Sequence, residues 1–217
     1  MEYARPVLEA QGVAANLNVI VQCLEDGLPP WTSRITDYLS ASPASTRASL
    51  SLPGIEPVVV RSPKALSRTL KNRPRAERAP LWDSFQEQLR DIPVCWTPMM
   101  SRAEVIDAAT KHEIGCHSSS HDSMGCESMQ FFVADLETCE EYFEKDLRLP
   151  LEIYAFPNGS YRPQHLEFLA GTDRIKSILI VEERRSRAGA TIHPRITFNA
   201  WTSHEARLRA LGARTAG

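Results

Sequence analysis

The order of the apolar runs constrains this chain most. Short runs rich in β-branched and aromatic residues stand at VAANLNVIVQC (13–23), HEIGCH (112–117), LEIYAF (151–156), 175–181 and 191–198. Segments with helical patterning separate most of them, around Trp31–Leu39, 63–72, 78–90, Ser101–Lys111, 129–147 and Pro163–Ala170. Strands that alternate with helices return to the sheet in one direction, so an α/β domain with parallel pairing is expected. A further helix is expected over residues 2–11, stopped by Gly12. Ser101 and Glu104 occupy the two positions of a capping box. In the 78–90 segment, Leu81, Trp82, Phe85 and Leu89 share one face. The stretch TRASLSLPGIEPVVV alternates on both sides of Pro53-Gly54, which predicts a hairpin. Residues 46–95 interrupt the alternation and read as an insertion in one domain spanning 1–217.

Composition narrows the function classes. With 217 residues, 42% of them hydrophobic, the chain can bury a sizeable core. A net charge of −2 gives no bulk attraction for nucleic acid. No run reaches the ~18 apolar residues of a membrane span. The first residues, MEYARPVLEAQG, lack the apolar centre of a secretory signal, so a cytoplasmic location is expected. Five cysteines without a framework spacing favour reduced thiols.

Six histidines occur, and two of them stand four apart in EIGCHSSSHDSM: His117 and His121. Two imidazoles at that spacing can reach one metal ion, and small serines between them leave room around it. Two other readings stay open from spacing alone. The pair could be chance neighbours on the surface, or Cys116, His117, His121 and Cys126 could close a structural zinc site.

EIGCHSSSHDSM resembles the histidine motif of the polysaccharide deacetylase family, the metal-dependent deacetylases of chitin and related glycans. About forty residues on, YAFPNGSYRP is similar to that family's proline-glycine loop, with a helix-then-strand segment between. The resemblance implies an irregular (β/α) barrel of the NodB-homology type, with its first strand missing. It implies hydrolysis of an acetyl group on a polysaccharide or amino-sugar, with acetylated carbohydrate as partner and neither nucleic acid nor membrane. A divalent metal, usually zinc, would be held by His117 and His121, with Ser118 supporting the first ligand from behind. The backbone N–H of Asn158 would hold the oxyanion. In TIHPRITF, His193 would deliver a proton as general acid, and Arg195 matches a strand common in bacterial relatives.

The chain departs from the family pattern. Asn158 stands where an aromatic residue is common, and Ala155 or Phe156 where many members have an arginine. The carboxylates differ most. The aspartate pair that supplies the base and third metal ligand has no counterpart, since no Asp-Asp occurs in the 217 residues. Glu25-Asp26-Gly27 follows the wrong strand, and Asp122 is expected to point away from the metal. The expectations are therefore a weakened or inactive deacetylase, and self-association through an exposed sheet edge. A glycan-binding or scaffold protein that kept the fold is the alternative. Trp31, Trp82, Trp96 and Trp201 read as core residues, and His112, His165 and His204 as surface residues.

Overall fold

The computed structural model describes residues 4–182, 189–195 and 202. Five strands form its sheet: β1 (Asn16–Val19), β2 (Glu113–Cys116), β3 (Ile153–Ala155), β4 (Ser177–Val181) and β5 (Ile192–Arg195). They lie in the order β1-β2-β3-β4-β5 and every neighbouring pair is parallel. The α/β expectation thus holds. The expected barrel is replaced by an open sheet among the described residues, because β1 and β5 stand at opposite edges. No pairing joins β1 to β5 there, so each is bonded on one side only and the sheet does not close.

One face of the sheet carries the larger core. Ile114, Cys116, Tyr154, Ile178 and Ile180 alternate onto that face and are buried. They share a cluster with residues of α8 (Arg102–Ala108), α9 (Met129–Tyr142) and α10 (Pro163–Ala170), such as Val105, Phe132, Leu136 and Leu169. The capping box at Ser101 and Glu104 starts α8 as the sequence predicts. Helix α9 runs on through a wider turn, Phe143–Leu147, and stops at Arg148. On the other face the register aligns Asn18 with Gly115, and a side chain at 115 would come within 2.3 Å of Asn18 Oδ1.

Helix α1 (Ala4–Ala10) opens the described chain. The first long apolar run does not continue as strand. At Val21 it turns into α2 (Val21–Asp26), closed by Gly27 at φ 69°. Val21 and Cys23 are buried as helix residues, so tertiary packing overrides their strand propensity.

A second cluster of helices carries its own core. It comprises α3 (Trp31–Ala41), α4 (Ala44–Ser49), α5 (Pro57–Val60), α6 (Pro63–Lys71) and α7 (Arg75–Gln88). Ile35, Val60, Leu66, Leu70, Phe85 and Leu89 are fully buried there. Trp31, Trp82 and Trp96 belong to this core, Trp96 through Tyr38 at 4.9 Å between rings; Trp201 lies outside the described residues. The expected hairpin reduces to one antiparallel bridge, Leu52 to Ile55. Pro57 favours the first turn of α5 over a strand, since it lacks an N–H for the ladder.

Two histidines expected at the surface are buried. His112 accepts a hydrogen bond from the Ala15 N–H through Nδ1, and His165 accepts one from the Arg162 N–H. His204 lies outside the described residues. Among the described residues, no helix is long and apolar enough to cross a membrane.

Candidate functional site

His117 follows β2 directly, at the carboxyl end of the sheet where parallel α/β folds place their chemistry. Its N–H donates to Val19 O at 2.7 Å, which extends the β1–β2 pairing into the loop. Two residues of the loop adopt left-handed backbone, Ser118 (φ 66°) and His121 (φ 62°). Such a conformation costs a non-glycine residue about 1–2 kcal/mol, so the surroundings must hold it. They do so with several hydrogen bonds. Ser118 Oγ accepts from the His121 N–H at 2.8 Å. Both Asp135 oxygens accept from the Ser119 N–H, and one also accepts from the Ser119 hydroxyl. The Gln22 N–H donates to Ser119 O at 2.8 Å, which ties the loop to α2. Ser118 thus fixes the second histidine's backbone, where the sequence reading has it behind the first.

The two imidazoles come together, with ring centroids 5.1 Å apart. His117 Nδ1 lies 2.6 Å from Ala155 O, a contact that needs the proton on Nδ1 and leaves Nε2 with its lone pair. His121 Nδ1 is buried and has no hydrogen-bond partner. Burial lowers the proton affinity of both rings, His117 to about 4 and His121 to about 3. The Arg195 charge adds to the effect on His117, and the charges of His117, Lys71 and Arg78 add to that on His121. Near neutral pH both rings are therefore uncharged, the form that ligates metals.

Asp122 is fully buried and turned to the helical cluster. Its carboxylate accepts from Arg78, from Arg75 at 3.4 Å and from the Ser120 hydroxyl at 2.7 Å. Arg78 also lies over the Trp31 ring at 4.5 Å. Asp26 is occupied as well, accepting from the Leu28 N–H at 2.8 Å. Among the described residues no three His, Cys, Asp or Glu side chains gather to hold a metal. That removes the closed zinc reading. Cys116 falls on the opposite face of β2 from Gly115 and His117, and is buried in the core. The pair itself fits the imidazole part of a metal site: two neutral rings, one oriented by a carbonyl and one with an orphaned buried nitrogen.

The second loop lies against the first. After β3, Pro157–Gly159 makes a single tight turn in which Asn158 has φ 56° and Gly159 φ 64°. A Cβ at 159 would meet Val181 Cβ at 2.8 Å, so glycine is required by both conformation and space. Asn158 Nδ2 donates to Ser123 Oγ at 3.0 Å, and the Gly125 N–H donates to Ser160 O at 3.3 Å. The Asn158 backbone N–H has no protein acceptor among the described residues. His193 sits on β5 opposite Leu179, which itself pairs with Ala155. Arg195, whose role the sequence does not assign, donates to Phe156 O at 3.3 Å. Its Nε is buried without a partner. Sequence reasoning also misses Asp135, Arg75 and Arg78, because nothing in their local pattern points at a loop far away in the chain.

Comparison with known proteins adds to this geometry. The family model for polysaccharide deacetylase matches residues 99–172, which hold β2, the histidine loop, β3 and the proline-glycine loop. The match falls on the motifs that carry the sequence resemblance. In fold the chain is similar to Streptococcus pyogenes deacetylase PplD in complex with acetate, with a TM-score of 0.56 and 14% sequence identity. The likeness covers 96% of this chain and 63% of that one. No curated protein sequence matches the chain.

Proposed function

We propose that this chain is a deacetylase-type hydrolase that acts on an acetylated carbohydrate at the His117–His121 pair. The observation that carries the reading is the convergence of two neutral imidazoles beside the proline-glycine loop, inside the segment matched to the deacetylase family. A divalent cation such as zinc, when bound, supplies a polarised carbonyl and an activated water. His117 and His121 would hold it, with Ala155 O fixing the first ring and Ser118 Oγ the second residue's backbone. The Asn158 N–H would donate to the oxygen that becomes negative as the acetyl carbon turns tetrahedral. His193 would return a proton to the leaving nitrogen or oxygen. Arg195 adds positive charge at the pair without carrying a removable proton.

A specific observation favours a second reading, a glycan-binding protein without turnover. Among the described residues no carboxylate joins the histidines to act as base or third ligand. General-base catalysis is worth ~10²–10⁴ in rate, so acetate release is expected to be slow. Titration with zinc and assay of acetate release from chitohexaose test both readings. The expected result is a slow, chelator-sensitive release that His117→Ala or His121→Ala abolishes, together with zinc binding. Asn158→Ala should be mild, since only its N–H is used. Zinc and sugar binding with no release selects the second reading. Release that survives chelation and His117→Ala removes the site from the argument.

A further inference from the structure

Helices α3 and α6 lie side by side in the helical cluster, and a groove of about 340 Å³ runs along them. Leu66 and Leu70 turn into the core, so the remaining face of α6 presents Lys64, Ser67, Arg68 and Lys71 to the groove. Thr32 and Thr36, one helical turn apart on α3, line the other side. No aspartate or glutamate lines the groove. Among the described residues, none of the three cations is paired with a carboxylate, unlike Arg5, Arg90, Arg102 or Arg174 elsewhere on the surface. Three uncompensated positive charges beside three hydroxyl groups favour an anionic ligand that also accepts hydrogen bonds.

The charges are spread out. Lys64 and Lys71 are seven residues apart on one helix, about 10 Å of rise. That spacing suits a ligand with several anionic groups along its length better than one small ion. Lys71 ends α6 only four residues before Arg75, whose guanidinium reaches Ser120 at 3.1 Å and Asp122 at 3.4 Å, so that end of the groove lies toward the histidine loop.

We propose that the α3–α6 groove is a docking subsite for the anionic groups of an acidic glycan, leading that chain toward His117 and His121. The inference rests on the carbohydrate reading above and adds the substrate class: a glycan with carboxylate or phosphate substituents rather than a neutral one. Lys64, Arg68 and Lys71 hold the charges, and Thr32, Thr36 and Ser67 donate hydrogen bonds. None of them takes part in the chemistry.

Calorimetric titration with three probes tests it: a hyaluronan hexasaccharide, neutral chitohexaose and inorganic phosphate. The acidic hexasaccharide should bind more tightly than chitohexaose, and less tightly as salt rises. The K64E/R68E double variant should lose about tenfold or more in affinity for the acidic probe, with chitohexaose unchanged. Lys64 and Arg68 are exposed, so the variant should fold, and chitohexaose binding checks that it has. Salt-independent binding of the acidic probe, or equal binding by wild type and variant, overturns the proposal. Inorganic phosphate binding as tightly as the hexasaccharide overturns it too, since the groove would then hold an ion and not a chain. Acetate release is a separate readout. An acidic probe that binds through the groove yet keeps its acetyl groups leaves the docking subsite standing and removes the deacetylase reading.

Discussion

Asp135 shows how much a single side chain carries in this protein. It is buried on α9 and accepts from both the backbone and the hydroxyl of Ser119. Burial is the main cause that lifts its pKa from 3.8 to about 6, while the Ser119 bonds pull the other way. A carboxyl with a raised folded-state pKa holds its proton more tightly in the folded chain than in the unfolded one. Its contribution to stability is therefore largest below pH 4 and is lost as pH rises from about 4 to about 6. A shift of that size corresponds to roughly 3 kcal/mol. Asp135→Asn should abolish this slope while keeping one acceptor for the Ser119 N–H. Urea unfolding at pH 4 and pH 7 measures it: the stability difference between wild type and variant should change by a few kcal/mol, and a constant difference refutes the assignment. The histidines obey the same physics with the opposite charge, since burial leaves them neutral and ready to ligate.

Between the elements, the histidine loop is clamped by groups from three directions: α2, α9 and the start of α7. The strongest clamp is Asp122 with Arg78, both buried. Arg78→Ala leaves a buried carboxylate with only the partly exposed Arg75 and the Ser120 hydroxyl beside it, so a loss of about 3 kcal/mol or more is expected. Replacing both members, as in R78M/D122L, should recover much of that loss, because it is the unpaired charge that costs. Denaturant midpoints of the single and double variants decide the point. Gly159→Ala should also destabilise, by about 1–3 kcal/mol, through its positive φ and the contact with Val181. Much of this level is legible in the sequence. The strand alternation, the capped α8 and the histidine spacing follow from local pattern, because each is set by residues a few positions apart. The proline-glycine loop is found only through the family resemblance. The clamp is not legible, since Arg78 and Asp122 stand 44 residues apart and nothing in RAERAP marks a partner for HDS. Nor is the end of β1 at Val19: a β-branched run looks the same whether it continues as strand or turns into a buried helix.

Taken whole, the described molecule has two cores, one on the sheet and one within the segment from Trp31 to Trp96, joined at the histidine loop by Arg75 and Arg78. Leu70→Ala in the second core should cost about 2–5 kcal/mol. Its reach is the sharper test. Hydrogen exchange should quicken in α6 and α7 and also in Ser119–Asp122, while the β3–β4 pairing keeps its protection. Unchanged exchange in the histidine loop would mean that the two cores act independently. The strand order has a kinetic consequence as well. Each strand pairs with its neighbour in chain order, but β1 can meet β2 only after the whole stretch between Val19 and Glu113 has been brought round. Closing so long a loop is an entropic barrier, and one that shrinks if the intervening chain is already compact. The helical cluster fills most of that stretch with contacts that are near in sequence, so its collapse shortens the distance β1 must travel. Refolding of the β1–β2 edge should then follow the helical cluster in time, and the pace of one should set the pace of the other.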